Sequence, residues 1–572
     1  MTACAALAAF ALPLAASQKA ESKELHVPVR MHDGVRLYAN VFLPGLAGAE
    51  EGGPHTRVPT ILVRTPYGKT DVLPPNYQAL LDHGYAVVVE DVRGRYESEG
   101  TFRPLTQEPA DGNDTIDWVA RQPWSDGKVG MTGGSYLGIA QWKAALEGNP
   151  HLKAIFPVVS GDDDYRDRFY STGGAMKLGN RLEWMSENLQ VPGYHPDFTR
   201  FVMHLPLRTA DVAATGRQSD MYQQVLAHPA FDTFWRGISV KEHMDKVHVP
   251  VFAVGGWYDN FVESDLEAFA ALHRISGLNR ILVGPWPHNM SIKFSGVDFG
   301  ADSTVPVRSL QIEWFDQWLM GKDTPLVSEP PVKIFVMGSN QWLEAHEWPP
   351  AQARERDLYL ESAGSANTVA GDGALAERPA IRSRRQTADR FVFNPRDPVP
   401  TRGGAVCCNP RIFPWGPMDQ RPVEQRRDVL VYTSRPLRED LEVIGPVKVV
   451  LYVSTSARDT DFTAKLVDVF PDGTARNLTD GILRLRYRDS LERAAAATPG
   501  QVYRIVVDAG VTSNAFLRGH RIRLEISSSN FPRFDRNPNT GAPVAGETRL
   551  LNANQTVYHD RQHPSKLVLT VM

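Results

Sequence analysis

Three residues that lie far apart in the sequence have the types and the order of a nucleophilic acyl-transfer site. Ser135 follows the apolar run 129–132 and precedes the helical pattern YLGIAQWKAALEG. Asp259 comes just after the apolar run VFAV, and His288 comes just after ILVGPWP. A serine, an acid and a histidine in this order, each past its own strand, predict a Ser-His-Asp triad. In this hypothesis Ser135 attacks an acyl carbonyl, His288 carries the proton, and Asp259 orients and stabilises the imidazole.

The turn that carries Ser135 has two interpretations when it is taken alone. Gly133 and Gly134 are the small neighbours that a sharp strand-to-helix turn with an exposed nucleophile requires. Glycine and serine are also ordinary turn residues. The pattern departs from G-x-S-x-G, because position 137 is Leu137 and the second glycine is Gly138. The positions of the acid and the histidine favour the nucleophile.

An acyl-transfer site also needs two hydrogen-bond donors for the oxyanion. The backbone N–H of Tyr136 stands at the predicted start of a helix, where it faces the developing charge. Tyr67 ends the segment ILVRTPY at the same edge of the predicted sheet, and its phenol is the second candidate donor. The alternative for Tyr67 is packing in a Pro-Gly turn.

Short apolar runs recur along the first half of the chain, with helical patterns between several of them. They cover residues 61–63, 86–89, 129–132, 154–159, 251–254 and 281–283. Buried strands that alternate with helices predict a mostly parallel sheet covered on both faces, with the active site at the carboxyl ends of its strands. From about residue 330 the apolar pattern changes to a period of two, as in RIRLEIS, which predicts a sandwich of short strands.

Several of these segments together resemble a known family. RTPYGK, VEDVRGRYESEG, GGSYLGIAQW, GGWYDNF and GPWPH are similar to motifs of the cocaine esterase/NonD hydrolases, a group within the Xaa-Pro dipeptidyl-peptidase and α-amino-acid ester hydrolase superfamily. The late segments GPMDQRP (416–422) and RIRLEISSSNFPRFDRNPNTG (521–541) extend the similarity to the C-terminal part. The resemblance implies the same triad, with the Tyr67 hydroxyl and the Tyr136 N–H as the oxyanion hole. It also implies that the charged residues of the DVRGRY loop, Asp91, Arg93 and Arg95, are ion-paired scaffold.

The fold class implied by this resemblance is an α/β-hydrolase core with an inserted helical cap, followed by an all-β jelly-roll domain. The corresponding ranges are a signal peptide in 1–20, core in 25–160, cap in 161–240, core in 241–350 and jelly roll in 351–572. The cap range is rich in Trp, Tyr, Met and His and breaks the strand rhythm.

The identity of the acyl group depends on charge near the triad, because a free α-amino group calls for carboxylates. In the amino-acid ester hydrolases, acids are expected two and three residues after the catalytic Asp, where this chain has Phe261 and Val262. The sequence therefore predicts a pocket edge that is apolar, with Phe261 and Trp257 as pocket residues, and a preference for uncharged acyl groups.

Two alternatives stay open at this point. The segment SGDDDYRD supplies Asp162, Asp163, Asp164 and Asp167, which we interpret as a solvated entrance to the cap. If these acids face the pocket, an Xaa-Pro dipeptidyl-peptidase, an aminoacyl peptidase or an α-amino-acid ester hydrolase becomes the better assignment. A catalytically dead jelly-roll binding protein is a remote alternative, since every catalytic position carries a competent residue.

Composition restricts the other partners. The net charge of −4 argues against nucleic acid, and no long apolar run beyond the N-terminus predicts a membrane span. Residues 3–16 are apolar and end in small residues, which predicts export to the periplasm or the medium. The alternative is a cytoplasmic protein with a disordered leader, because no Lys or Arg precedes Lys19. Of three cysteines, Cys407 and Cys408 are adjacent, and we expect reduced or buried thiols. We expect a small ester or amide as substrate and no metal or cofactor; a homodimer is compatible with the sequence.

Overall fold

The computed structural model describes residues 22–45, 57–104, 106–379 and 388–572. The predicted signal peptide and Cys4 lie outside the described residues.

The first ten strands in chain order form one sheet in the part of the chain that is described. Their bounds are β1 (Ser22–Arg30), β2 (Arg36–Leu43), β3 (Val58–Thr65), β4 (Ala86–Asp91), β5 (Ser125–Gly134), β6 (Leu152–Val158), β7 (Phe252–Tyr258), β8 (Arg280–Pro287), β9 (Val332–Val336) and β10 (Gln341–Ala345). The spatial order is β1-β2-β4-β3-β5-β6-β7-β8-β9-β10, and every pair from β4 to β9 is parallel. The apolar runs of the sequence thus form the buried centre of the sheet, as predicted.

Helices cover the two faces of this sheet and form the cap. Their bounds in the described residues are α1 (Pro75–Asp82), α2 (Glu108–Ala120), α3 (Tyr136–Ala145), α4 (Leu178–Asn188), α5 (Phe198–Val202), α6 (Ala210–Thr215), α7 (Asp220–Ala227), α8 (Thr233–Ile238), α9 (Val262–Ser276), α10 (Val307–Phe315) and α11 (Arg421–Glu424). Turns of π-helix span Asp164–Phe169 and Asp316–Met320. Short 3₁₀ turns span Leu207–Thr209, Lys241–Lys246, Ala301–Ser303, Pro325–Val327, Leu485–Tyr487 and Val544–Gly546.

The remaining strands build the predicted all-β domain. Their bounds are β11 (Arg354–Glu361), β12 (Ala374–Ala376), β13 (Asp389–Phe393), β14 (Leu430–Thr433), β15 (Leu441–Thr455), β16 (Asp461–Val469), β17 (Ala475–Arg484), β18 (Tyr503–Phe516), β19 (Arg521–Ser527), β20 (Ala553–Tyr558) and β21 (Lys566–Val571). Nearly all of their pairings are antiparallel. β9 and β10 belong to the first sheet, so the second sheet begins with β11. The domain ranges given in the sequence analysis stay predictions.

The cap, α4 to α8 with the π turn Asp164–Phe169, lies between β6 and β7 in the chain and has an aromatic core of its own. Tyr165, Tyr222 and Trp235 are fully buried in it. Backbone contacts attach the cap to the all-β domain: the Gly179 N–H donates to the Pro532 carbonyl oxygen at 2.7 Å. The Met176 N–H donates to a carboxylate oxygen of Asp535 at 2.7 Å. These hydrogen bonds anchor the cap to the all-β domain.

A fully buried charge network joins the elements that carry the predicted nucleophile. Arg64 at the end of β3 donates to Glu90 of β4 at 2.7 Å and to Glu108 of α2 at 2.5 Å. The Tyr136 hydroxyl, on the first residue of α3, donates to the other oxygen of Glu108 at 2.7 Å. Burial raises the pKa of Glu90 to about 7 despite the nearby guanidinium. The two carboxylates depend on Arg64 for their charge balance.

We expect Arg64→Met to lower the free energy of unfolding by about 3–5 kcal/mol, because it leaves two buried carboxylates without their counter-ion. Urea denaturation followed by tryptophan fluorescence measures this. Arg36→Met is the matched control: Arg36 pairs with Glu99 on the surface, where the two side chains are 56% and 40% exposed. That pair contributes at most about 1 kcal/mol. Equal losses for the two variants would contradict the role of the buried network.

Candidate active site

Ser135 occupies a sharp turn between β5 and α3 in a backbone conformation that is unusual for serine. Its φ is 56° and its ψ is −124°, and Gly133 before it has a φ of 136°. A Cβ on Gly133 would lie 2.5 Å from the Cβ of Leu137, and one on Gly138 would lie 2.5 Å from the Cβ of Ser160. Glycine is required at both positions for this reason, and the displaced second glycine of the sequence motif has a packing role. Strain of this kind at a non-glycine residue is typical of functional sites.

The three predicted catalytic residues meet at the carboxyl ends of β5, β7 and β8. The Nε2 atom of His288 lies 3.0 Å from Ser135 Oγ, and its Nδ1 atom lies 2.6 Å from Asp259 Oδ2. Asp259 is fully buried, and its other oxygen accepts the Phe261 N–H at 3.0 Å. The imidazole is thus held between a hydroxyl and a carboxylate, as base and nucleophile must be for acyl transfer.

Both predicted oxyanion donors are beside Ser135. Tyr136 is the first residue of α3, where a backbone N–H has no partner within the helix. The Tyr67 hydroxyl accepts the indole N–H of Trp184 at 3.1 Å, so its own proton is free for another acceptor. Loss of hydration raises the pKa of Tyr67, and hydrogen bonding with Trp184 and Ser135 offsets only part of that. The phenol is accordingly a neutral donor at ordinary pH.

A cleft opens above Ser135 and is bounded by the core, the cap and the all-β domain. Its lining residues are Tyr67, Pro104, Ser135, Tyr136, Ile139, Arg168, Phe169, Arg181, Trp184, Met221, Phe261, Cys407 and Cys408. Phe261 is present as predicted, 3% exposed, with its ring 5.7 Å from that of His288. No carboxylate is among the described residues that line the cleft.

Trp257 does not reach this cleft, and the prediction of a pocket role for it is wrong. Its indole is buried against Trp348 and donates to the Phe335 carbonyl oxygen at 2.7 Å. Successive residues of a strand point to opposite faces of the sheet, and Trp257 of β7 points into the core. The preference for thiols at Cys407 and Cys408 is also wrong, since a disulfide joins the two residues.

The acidic segment that kept a peptidase assignment open is buried, which corrects its interpretation as a solvated entrance. Asp162, Asp163, Asp164 and Asp167 are at most 4% exposed. Asp163 pairs with Arg166 at 2.6 Å, and Asp164 pairs with Lys143 at 2.5 Å. Burial raises the pKa of Asp167 to about 7. Asp163 and Asp164 thus balance cations inside the protein, and none of the four acids lines the cleft.

The charged residues of the DVRGRY loop act as structural supports. Asp91 pairs with Lys69 at 3.2 Å, and Arg93 pairs with Asp111 at 2.5 Å. Arg95 instead donates to the carbonyl oxygens of Pro66 and Asn188, so the expected ion pair of Arg95 is replaced by backbone contacts. None of the three lines the cleft in the described structure.

The chain matches the model of the X-Pro dipeptidyl-peptidase (S15 family) over residues 33–290, and that of the X-Pro dipeptidyl-peptidase C-terminal non-catalytic domain over 326–568. It is 38% identical to cocaine esterase from Rhodococcus sp. (strain MB1 Bresler), and the match covers 96% of this chain and 98% of the relative. The chain belongs to the cocaine esterase family of S15 serine hydrolases.

Two solved structures of related enzymes have the same overall architecture. An α-amino acid ester hydrolase superposes with a TM-score of 0.83 at 26% identity, covering 98% of each chain. An aminopeptidase from a marine sediment archaeon, Thaumarchaeota archaeon, superposes with a TM-score of 0.82 at 26% identity, covering 96% of each chain. The predicted family and fold class are therefore confirmed, and the chain is a serine hydrolase.

Sequence reasoning missed several residues that line the cleft of this cocaine esterase family member. Trp184 and Arg181 come from α4, and Arg168 comes from the π turn before it. The aromatic-rich composition indicated a cap but not which of its residues face Ser135. Cys407 and Cys408 reach the cleft from the all-β domain, a placement with no local signal in the sequence.

We expect Tyr67→Phe to lower kcat by about 10²- to 10³-fold with a smaller change in KM, because its hydroxyl is needed when charge develops on the substrate oxygen. Steady-state kinetics with a p-nitrophenyl ester measures this. Tyr96→Phe, at a tyrosine that is 65% exposed, is the control and should keep the wild-type kcat. An unchanged kcat in Tyr67→Phe would assign this tyrosine to packing alone.

Proposed function

We propose that this serine hydrolase cleaves carboxylic esters through an acyl-enzyme formed on Ser135, with His288 as the acid–base and Asp259 as its orienting partner. The observation that carries the proposal is the position of His288, 3.0 Å from the serine oxygen and 2.6 Å from the buried carboxylate. Because every role in acyl transfer is filled, an active hydrolase is favoured over a dead binding protein.

The reaction follows from these contacts in two halves. In the first half, His288 removes the Ser135 proton as the oxygen attacks the ester carbonyl; it then protonates the departing alkoxide. Tyr67 and the Tyr136 N–H donate to the carbonyl oxygen while it carries negative charge. In the second half, His288 deprotonates a water that attacks the acyl-enzyme, and the proton returns to Ser135 when the acid leaves.

The charged residues that line the cleft favour, as substrates, esters that lack an α-ammonium group. A buried ammonium needs a carboxylate partner, and the described cleft lining supplies two arginines and no acid. Asp162, Asp163, Asp164 and Asp167 are buried away from the cleft lining and are no substitute. An ester hydrolase is thus favoured over the aminopeptidase, Xaa-Pro dipeptidyl-peptidase and α-amino-acid ester hydrolase alternatives, although relatives bear those names.

We expect Ser135→Ala to abolish ester hydrolysis while the protein stays folded, since loss of the nucleophile costs on the order of 10⁴- to 10⁶-fold in rate. Hydrolysis of a p-nitrophenyl ester and labelling by a fluorophosphonate probe measure the loss, and circular dichroism checks the fold. Ser328→Ala, at an exposed serine, is the control and should remain active and labelled. Activity of Ser135→Ala within about tenfold of wild type would contradict the triad.

We expect the wild-type enzyme to prefer a phenylacetyl ester to the matching phenylglycine ester by at least about tenfold in kcat/KM, at a pH where the amine is charged. The physical reason is that an ammonium would lie unpaired beside Phe261 and the arginines. As an internal control, a pH above the pKa of the amine should bring the kcat/KM values of the two esters closer together, because the amine is then uncharged. A preference for the charged phenylglycine ester would overturn the assignment.

We also propose export, on the apolar run of residues 3–16. Among the residues that the structure describes, no helix combines the length and the apolar character needed to cross a bilayer. N-terminal sequencing of the chain from its native cells tests export, because a start near Ala16–Ala20 supports cleavage and an intact Met1 contradicts it. The homodimer stays a prediction, which the molecular mass from analytical ultracentrifugation tests.

A further inference from the structure

Two buried guanidinium groups of the cap face the cleft with donors to spare. Arg168 is 4% exposed; its Nη1 atom donates to Asp164, but its Nε and Nη2 atoms have no hydrogen-bond partner among the residues that the structure describes. Arg181 is 8% exposed, and its Nε–H donates to the carbonyl oxygen of Arg168 at 3.2 Å. This is the one hydrogen bond that the Arg181 guanidinium makes with the described residues. Buried donors without acceptors are costly and therefore uncommon.

The local charges do not balance either. Asp164 is the one carboxylate that contacts this group in the described structure, and it is shared by Arg168 and Lys143. Arg181 pairs with no carboxylate among the described residues. Its guanidinium lies over the rings of Phe169 and Trp184, with its central carbon 4.9 Å and 5.8 Å from their centroids. Desolvation and the nearby Arg168 lower the pKa of Arg181 to about 10. The described wall of the cleft thus carries positive charge that no lining carboxylate balances.

The two arginines lie close to the residues that would carry out ester hydrolysis. Both line the cleft that contains Ser135. Trp184 contacts the Arg181 guanidinium with its ring and donates its indole N–H to Tyr67, the proposed donor to the acyl oxygen. The acyl chain of an ester bound at Ser135 can therefore reach the two guanidinium groups.

We propose that Arg168 and Arg181 form a carboxylate subsite, and that the enzyme accepts esters whose acyl chain ends in a carboxylate. This rests on the proposed function of Ser135 and names a substrate class for it. A carboxylate oxygen pair matches the planar donors of a guanidinium and supplies the missing charge. The expectation of a preference for uncharged acyl groups rested on Phe261 and did not include these arginines. With this subsite, we expect a preference for anionic acyl groups in place of uncharged ones.

The test compares p-nitrophenyl hydrogen adipate with p-nitrophenyl hexanoate, which has the same chain length and no carboxylate, after correction for spontaneous hydrolysis. We expect kcat/KM for the adipate ester to exceed that for the hexanoate ester by about tenfold or more. Arg181→Gln should reduce this ratio by about tenfold, and Arg181→Lys should restore part of it. Arg200→Gln, at an exposed arginine of the cap, is the matched control and should keep the wild-type ratio.

A binding measurement keeps the inference testable if the Arg181 variants do not fold. Calorimetric titration of Ser135→Ala with methyl hydrogen adipate and dimethyl adipate should show about tenfold tighter binding of the monoester anion. Hydrolysis of the hexanoate ester without a preference for the adipate ester would overturn the subsite and leave the proposed function intact. If neither ester is hydrolysed faster than by Ser135→Ala, the proposed function fails. Tighter binding of dimethyl adipate would again overturn the subsite.

Discussion

The left-handed backbone of Ser135 is the constraint around which the rest of the site is arranged. A residue with a Cβ resists this conformation, so it persists only where the surroundings enforce it. The Ser135 N–H donates to the Val158 carbonyl oxygen of β6 at 2.9 Å, and its own carbonyl accepts from the first turn of α3. The contacts of Gly133 and Gly138 leave no space for side chains. Beneath the turn, the Arg64 network holds β3, β4, α2 and α3 together.

The parallel sheet solves a second problem, which is to bring Asp259 and His288 to that serine. Neighbouring parallel strands end at the same edge of a sheet, and β5, β6, β7 and β8 are consecutive neighbours. The residues that follow β5, β7 and β8 therefore converge without any special loop. Burial of Asp259, with its oxygens shared between the imidazole and a backbone N–H, fixes the orientation of His288.

The cap and the all-β domain decide what can enter. The cap supplies Trp184, Phe169 and both arginines, and the all-β domain contributes Cys407 and Cys408 and anchors the cap through backbone hydrogen bonds. A cleft formed by three parts of the chain can exclude bulk water, which strengthens hydrogen bonds and charges inside it. The two arginines place positive charge in the wall of this cleft.

The sequence by itself determined the strands, their parallel arrangement, the triad candidates and Tyr67, because apolar period and turn chemistry are local properties. Residues that follow neighbouring parallel strands lie at the same edge of the sheet. The tertiary structure alone decided which side chains of the long insertions face the cleft. The acids from Asp162 to Asp167 suggested a solvated loop but are enclosed by the cap, and Trp257 points into the core. Contacts between distant segments bring Arg168, Arg181 and the cysteine pair to the cleft. Local sequence patterns do not predict such contacts.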